Sequence, residues 1–406
     1  MSIVLAAWIA AAGLGLAPAR ICAEEATDST RERPRPTEFY SIFNFGYGGD
    51  DFPADDAAFE KIVRRLAEEG RFNAILCGYT ERRAEICEKY GMKMMVDLLN
   101  NTHHVYQNPE KAKELCASLQ NHPVIMGYHL WSDRMGSTGP GRARDIRNVQ
   151  QWDPTHPTYA ATYQTRGGIE HLAGSDIFGW YDFHWKRGIH RRLPSLLHAW
   201  QVARQHDNLF YELLATDSGL PGEGNFRRSL WSVNTGIACG MKGCLWFIGM
   251  RQMNPVDGQW TQWGRDINRV NAEVLPLRHE ILQLRNPVAI YTTPITRDMN
   301  NRPVGDGSAP VMPGGLENQG FPKDFWIQPL SGEFLMGVFR NQSGGTSVFV
   351  ANHNAYAEQQ VSWRVGRDVT ARIFDRGTAA WQEIPSDQGV IRFELDAAGG
   401  ELLEFE

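Results

Sequence analysis

The sequence predicts an α/β protein in which a (β/α)₈ TIM barrel is followed by a small antiparallel β-sandwich. From residue 38 to 286, short apolar strand patterns alternate with amphipathic helix patterns, which indicates βαβ units on a parallel sheet. Eight such units over roughly 250 residues match the size of an eightfold barrel. From residue 287 to 406, alternating strand patterns follow one another without a helix pattern, which is typical of an antiparallel sandwich.

The barrel strands can be assigned from their apolar runs. They are predicted at 39–47, 73–79, 93–99, 124–131, 158–164, 177–185, 209–217 and 243–249. Helix patterns lie between them, such as DAAFEKIVRRLAEEG near the start and WGRDINRVNAEVLPLRHEILQLR at the end. An open doubly wound sheet is the alternative architecture. It is disfavoured because NFGYGGDD, after the first strand, lacks the G-x-G-x-x-G spacing of a phosphate-binding loop.

The C-terminal region is predicted to support the barrel without carrying the chemistry. Its strands are predicted at 334–341, 346–354, 360–365, 370–375, 390–395 and 401–406. The Gly- and Pro-rich stretch at 300–324 is typical of a long loop, and loops of that length are usually functional or mobile.

The N-terminal residues, MSIVLAAWIAAAGLGLAPARICAEE, resemble an export signal. The apolar run from Ile3 to Ala17 has the length of a signal h-region, and small residues follow it, although no Lys or Arg precedes it. We therefore expect a signal peptide at 1–23, a polar leader at 24–37, and a secreted or periplasmic protein. A short membrane anchor is the alternative, and no later apolar run is long enough to span a membrane.

Composition narrows the class of ligand. A formal net charge of -6 argues against a nucleic-acid-binding protein, which needs a basic face. The 13 Trp, 12 Tyr and 19 Phe residues suit a protein that stacks flat apolar ligand faces. Oligomeric state is left open by the sequence.

Neither a metal nor a cofactor is expected. Phosphate-binding glycines and cofactor-holding lysines are missing at the strand ends, and no third ligand has suitable spacing to His103 and His104. That histidine pair is therefore expected in a solvated loop. The cysteines fit neither a zinc site nor a disulfide framework, so buried thiols are expected, with a Cys87–Cys116 disulfide as the alternative.

Polar residues gather where the predicted barrel strands end. The stretch GYHLWSDRMG, residues 127–136, runs from a buried strand directly into charge. Ligand chemistry in such barrels lies at the C-terminal strand ends. Strand six ends with the aromatic Tyr181 as well as polar residues. The candidates for substrate binding are Asn44, Tyr47, Asp97, His129, Asp182, His184, Trp185, Glu212 and Trp246.

These residue types together predict an oligosaccharide or polysaccharide ligand. Carboxylates and amides bind hydroxyl groups, whereas aromatic faces cover the C–H side of a sugar ring. His129 shares the predicted inward parity of Trp131 and Asp133. It is also compatible with a simple hydrogen-bonded residue of the barrel interior.

An exported chain with an eightfold barrel and a C-terminal sandwich resembles the (β/α)₈-barrel glycoside hydrolases of the cellulase-like and β-galactosidase-like clan (clan A). Many of them carry a motif like GY-x-L-W-D-E-P at strand four, in which the Glu is the general acid/base. Here GYHLWSDRM has Ser132 where the Asp is expected and Asp133 where the Glu is expected. The run RSLWSVNTGIACGMKGCLWFIG also resembles the segment that leads into strand eight of the clan.

The resemblance implies a second carboxylate, the nucleophile, at the end of strand seven. YELLATDSG offers Asp217 there, with Glu212 five residues earlier. Two carboxyl groups on opposite sides of a glycosidic bond can hydrolyse it, one as acid and the other as nucleophile or base. We therefore expect Asp133 and Asp217 to be the catalytic pair, unless they only cap or turn the chain.

Two other functions stay open at this point. One is a catalytically silent barrel that only binds glycans, which the missing Glu at strand four favours. The other is a non-hydrolytic sugar enzyme, a lyase or isomerase, that would use His129 or His184 as a base.

Overall fold

A computed structural model gives the architecture. It describes residues 34–46, 52–99, 102–131, 139–162, 172, 174–181, 189–215, 223–247, 249–294, 320–341, 344–366 and 369–406. The predicted signal peptide, most of the leader and most of the 300–324 stretch lie outside these ranges. The described residues belong to one compact unit that spans 33–406.

Eight parallel strands close into a barrel in sequence order, as predicted. They are β1 Tyr40–Asn44, β2 Ala74–Cys77, β3 Lys93–Asp97, β4 Ile125–Trp131, β5 Thr158–Thr162, β6 Ile177–Tyr181, β7 Leu209–Ala215 and β8 Met241–Phe247. The helices described around them are Asp56–Glu68, Glu81–Lys89, Pro109–Ser118, Gly139–Trp152, Ile189–Gln205, Glu223–Ala238, Gln262–Val274 and Arg278–Gln283.

Local sequence explains where several helices begin and end. The side chains of Asp55 and Thr80 each accept a backbone N–H of the first helical turn, as N-cap residues do. The long helix pattern predicted at 263–285 is divided by a short 3₁₀ turn at Leu275–Leu277. Pro276 lies in that turn, where its ring would clash with the preceding turn of a continuous α-helix.

The barrel interior is a packed core to which every strand contributes. Its buried side chains are Tyr40, Ile42, Ala74, Leu76, Met95, Met126, Tyr159, Ala161, Ile177, Leu209, Tyr211, Leu213 and Leu245. Two inward positions are glycine because a tyrosine fills the space. A Cβ on Gly179 would lie 2.5 Å from the Tyr159 hydroxyl, and one on Gly243 would overlap the Tyr211 ring.

The C-terminal region is the predicted antiparallel β-sandwich. Its strands are β9 Ala289–Thr292, β10 Ile327–Ser331, β11 Phe334–Arg340, β12 Thr346–Asn352, β13 Gln359–Val365, β14 Ala371–Asp375, β15 Ala380–Ile384, β16 Ser386–Asp387, β17 Val390–Leu395 and β18 Gly400–Phe405. A four-stranded sheet has the order β10-β13-β17-β16, and a six-stranded sheet has the order β15-β14-β18-β12-β11-β9. Strands β9, β10, β15 and β16 were not predicted.

The central strands of the six-stranded sheet are buried on both faces. Along β11, Met336 packs in the sandwich core, whereas Leu335 and Phe339 join the cluster that also contains the barrel helices. A Cβ on Gly337 would overlap the carbonyl oxygen of Ala238, at the end of a barrel helix. The glycine therefore lets the sheet approach the helix backbone directly.

Two smaller predictions can also be compared with the structure. The cysteines at 77, 87, 116, 239 and 244 are buried thiols, so the expectation of buried thiols is confirmed and Cys87 is not bonded to Cys116. Among the described residues, no helix combines the length and the apolar character that crossing a membrane requires.

Candidate functional site at the barrel mouth

Three side chains on neighbouring strands face the barrel interior near its C-terminal end. Asp97 on β3 is the register partner of His129 on β4, and His129 is the register partner of Tyr159 on β5. Side chains at matched positions of neighbouring strands point to the same face of a sheet. Since Tyr159 belongs to the interior core, Asp97 and His129 also point inward.

Asp97 and His129 form a buried pair. The Nδ1 atom of His129 lies 3.1 Å from Oδ1 of Asp97, and the backbone N–H of Leu99 donates to the same oxygen at 3.0 Å. The side chain of Asp97 is 0% exposed and that of His129 is 7% exposed. The imidazole also packs against the Tyr159 ring, with 5.5 Å between centroids. These contacts hold both side chains in one orientation.

His104 is buried next to this pair, so the prediction of a solvated loop is wrong for it. Its Nδ1 accepts the backbone N–H groups of Tyr106 and Gln107 at 3.2 and 3.3 Å. Burial lowers the pKa of the His104 imidazole, and the Asp97 and Asp145 carboxylates oppose that shift. The apolar Val105, which is buried beside it, was the sequence signal that this loop docks on the barrel.

Asp145 adds a second buried acid on this side of the barrel. It lies on the helix Gly139–Trp152, and its Oδ1 accepts from the Arg144 guanidinium at 3.3 Å. Burial raises the pKa of the Asp145 carboxyl, and Arg144 opposes the shift. Within the described ranges, no three His, Cys, Asp or Glu side chains are grouped so as to hold a metal ion.

Other strand ends add an amide and two aromatic rings. Asn44 ends β1 with the inward parity of Tyr40 and Ile42, and its Oδ1 accepts the Gly46 N–H at 3.3 Å. Tyr181 and Phe247 end β6 and β8, and both are partly buried against the interior core. Phe247 was not among the sequence candidates, although it follows Trp246 directly in the predicted strand.

Two sequence candidates lie on the outer face of the barrel, which corrects the expectation that they contact substrate. Glu212 forms a two-bond ion pair with Arg192, at 2.6 and 2.8 Å, and both side chains are 0% exposed. Trp246 is buried and donates its indole N–H to Ser41 Oγ at 2.9 Å. In β7 the inward side chains are those of Leu209, Tyr211 and Leu213, and in β8 they are those of Leu245 and Phe247. Successive side chains of a strand alternate between its faces, so Glu212 and Trp246 point outward.

The remaining sequence candidates lie outside the described residues. They are Tyr47, Asp133, Asp182, His184, Trp185 and Asp217. The strands that precede Asp133 and Asp217 are β4 and β7, which have two strands between them on one side of the closed barrel and four on the other. That these two aspartates face one pocket stays a prediction.

The architecture can be compared with solved structures. A protein described as a glycoside hydrolase superposes with a TM-score of 0.54 at 12% identity, over 90% of this chain and 92% of its own. The chain has the fold of the barrel glycoside hydrolases. No protein-family model and no curated protein sequence matches it.

Two further structures are similar at lower TM-scores. The family 27 β-L-arabinopyranosidase Abp from Geobacillus stearothermophilus has a TM-score of 0.47 at 7% identity, over 91% of this chain and 96% of its own. The family 51 arabinofuranosidase from Xanthomonas axonopodis pv. citri has a TM-score of 0.47 at 12% identity, over 93% of this chain and 98% of its own.

Proposed function

We propose that this protein is a glycoside hydrolase that acts on an oligosaccharide or polysaccharide at the C-terminal mouth of its barrel. The observation that carries the proposal is the inward-facing set at the strand ends. His129, held by Asp97, and Asn44 supply polar groups there, and Tyr181 and Phe247 supply partly exposed aromatic surface. The barrel-plus-sandwich fold, which a glycoside hydrolase shares over 90% of this chain, supports the same function.

In the proposed mechanism, Asp133 protonates the glycosidic oxygen as the bond to the anomeric carbon breaks. Asp217 either attacks that carbon or removes a proton from the attacking water. Their separation decides between the two routes, because retaining enzymes hold the carboxyl groups about 5–5.5 Å apart and inverting enzymes about 6.5–9.5 Å apart. Each aspartate comes two residues after the last residue of a barrel strand, β4 or β7, at the end of the barrel where the inward-facing polar groups lie, which supports these roles.

The proposal includes export, since the N-terminal run has the length and small-residue flank of a signal peptide. A secreted or periplasmic enzyme would meet polysaccharide substrates directly. N-terminal sequencing of the mature protein should find a start at Arg20 or Glu24. An active mature protein that retains Met1 would contradict export by this signal.

The decisive experiment is a screen of the purified protein against chromogenic 4-nitrophenyl glycosides and polysaccharides. On a substrate that the parent cleaves, Asp133→Asn and Asp217→Asn should each lower kcat by about 10²–10⁴-fold, because acid–base transfer contributes about that much. Asp207→Asn is the matched control, since Asp207 is an exposed acid at the opposite end of β7. Full activity in both test variants would exclude this catalytic pair.

The Asp97–His129 pair also favours a second candidate, a lyase or isomerase in which His129 removes a proton from the sugar. A carboxylate that holds one imidazole nitrogen is the arrangement that orients a histidine base. Product analysis separates the two functions. Hydrolysis releases a saturated sugar with a new reducing end, whereas a lyase forms an unsaturated sugar and an isomerase consumes no water. Saturable oligosaccharide binding without any product would identify a silent glycan-binding barrel.

A further inference from the structure

Asp97 cannot act as a direct ligand contact in the way that its strand-end position suggests. Its side chain is fully buried, and its Oδ1 already accepts from both the Leu99 N–H and the His129 imidazole. His129 is the member of the pair whose side chain keeps exposed surface. The carboxylate can therefore act on a ligand at the mouth through the histidine.

The contacts determine which nitrogen of His129 carries the proton. A carboxylate oxygen accepts hydrogen bonds and does not donate them. Since Nδ1 faces Asp97 Oδ1 at 3.1 Å, Nδ1 is the donor. A neutral imidazole then leaves Nε2 as an acceptor with a free lone pair.

The second nitrogen is in a position to use that lone pair. Nε2 makes no hydrogen bond to any residue in the part of the chain that the structure describes. It is not enclosed either, because it is not one of the buried polar atoms without a partner. The side chain retains 7% of its surface, and we infer that this surface lies at the Nε2 edge, because the Nδ1 edge is covered by Asp97. The tilted contact with Tyr159, at 37° between ring planes, limits rotation of the ring.

We propose that Asp97 is a positioning residue that holds His129 in its Nδ1-protonated tautomer, so that Nε2 accepts a hydrogen bond from a hydroxyl group of the bound sugar. That the ligand is a sugar rests on the proposed function. The tautomer and the accepting role of Nε2 rest on the geometry of the pair alone. The site thus selects a ligand that presents an O–H donor at this point of the mouth.

The tautomer can be measured without any ligand. Two-bond ¹⁵N–¹H NMR correlation on protein labelled at histidine distinguishes protonated from unprotonated ring nitrogens, and the His129 signals are those that His129→Asn removes. The parent should show a protonated Nδ1 and an unprotonated Nε2. Asp97→Asn keeps an amide oxygen as acceptor and should retain this pattern, whereas Asp97→Ala removes the acceptor and should give mixed tautomers. A parent that carries its proton on Nε2 would overturn the proposal.

Two matched variants of His129 separate the roles of its two nitrogens. In His129→Asn the side-chain amide N–H can still donate to Asp97, but no acceptor remains at the Nε2 position. In His129→Gln a polar atom remains near Nε2, but the donor to Asp97 is lost. If Nε2 binds a sugar hydroxyl, His129→Asn should raise KM about three- to tenfold with little change in kcat, as expected for one lost neutral hydrogen bond.

Binding is measured with the same panel of 4-nitrophenyl glycosides that serves as the activity screen. A glycoside that binds should shift the Nε2 resonance of His129 in the parent and in Asp97→Asn. Should every glycoside that binds leave Nε2 unshifted, or should none bind at all, the accepting role would be wrong. A shifted Nε2 without hydrolysis would leave this inference standing and refute the hydrolase function. Hydrolysis with an unshifted Nε2 would refute this inference and leave the hydrolase function standing.

Discussion

The two buried acids of the barrel wall, Asp97 and Glu212, differ in what surrounds them. Glu212, on the outer face, is closed on both carboxylate oxygens by Arg192, which also donates to the Ser232 carbonyl oxygen at 2.7 Å. Asp97, on the inner face, contacts a histidine whose second nitrogen makes no bond to a described residue. The outer pair attaches helices to the barrel, whereas the inner pair retains a group with which to bind something else.

The comparison extends to tyrosines on the two faces. Tyr128, on the outer face of β4, donates its hydroxyl to Asp153 at 2.6 Å. The hydroxyl of Tyr211, in the interior, is buried without a hydrogen-bond partner among the described residues. Buried polar groups normally have hydrogen-bond partners, and Tyr128 and Glu212 on the outer face follow that rule. A buried acid in a barrel strand is therefore not by itself a sign of a substrate site; the face on which it lies decides.

The largest expected effect comes from breaking the outer ion pair. Glu212→Gln or Arg192→Met should lower the free energy of unfolding by about 3–5 kcal/mol, because each leaves an uncompensated charge or polar group in the core. The double variant Glu212→Leu/Arg192→Met should recover most of the loss. Urea unfolding followed by circular dichroism measures all three. Single variants as stable as the parent would mean that the pair is not a structural element.

A second test concerns Lys242, which departs from the pattern of paired charges on the outer face. Its Nζ donates to the Ile281 carbonyl oxygen at 2.9 Å and lies over the Phe339 ring. Burial lowers the pKa of the Lys242 ammonium from 10.5 to about 7. Between these two values the unfolded chain binds the extra proton, so folding stability should rise with pH across this window.

The variant Lys242→Met isolates this contribution. It should be more stable than the parent below pH 7, by a few kcal/mol, and this advantage should shrink as the pH rises toward 10.5. The stability difference between the two proteins, measured by urea unfolding over a pH series, cancels the titration of other groups. An advantage of Lys242→Met that did not change with pH would show that the lysine is not neutralised in the folded state.

The tyrosine pair gives a smaller effect of known direction. Tyr128→Phe should cost about 1.5–3 kcal/mol, because it removes a hydrogen bond to a charged group and leaves the acceptor buried. Tyr211→Phe removes a buried hydroxyl without a partner in the described part of the chain, so it should be neutral or slightly stabilising. Thermal unfolding of both variants checks the contrast. Equal losses in the two variants would remove the distinction between the faces.

The smallest effect is expected at the surface. Arg35 and Asp207 form an ion pair with side chains that are 55% and 77% exposed, and such pairs contribute about 0–1 kcal/mol. Asp207→Asn should therefore change stability by less than about 1 kcal/mol. Asp207 has a φ of 52°, which asparagine also adopts readily. A loss close to that of Glu212→Gln would show that burial does not govern the comparison.

Much of the fold could be predicted from the sequence because its signals are local. The alternation of strand and helix patterns predicted the barrel, and the change of pattern after Pro287 predicted the sandwich. Asp55 and Thr80 each precede a helix that their side chains cap. The predicted inward orientation of His129 is also confirmed by its pairing with Asp97 and Tyr159.

The faces of Glu212 and Trp246, by contrast, were decided only by the tertiary structure. Strands of a parallel barrel are apolar on both sides, so their hydrophobic pattern does not reveal which residues point inward. The same limit applies to the six-stranded sheet of the sandwich, whose second face is buried by the barrel helices. His104 is a further case, since its burial depends on a loop that folds over the end of β3. Sequence periodicity reports that a segment is buried, but which neighbour buries it depends on residues far away in the chain.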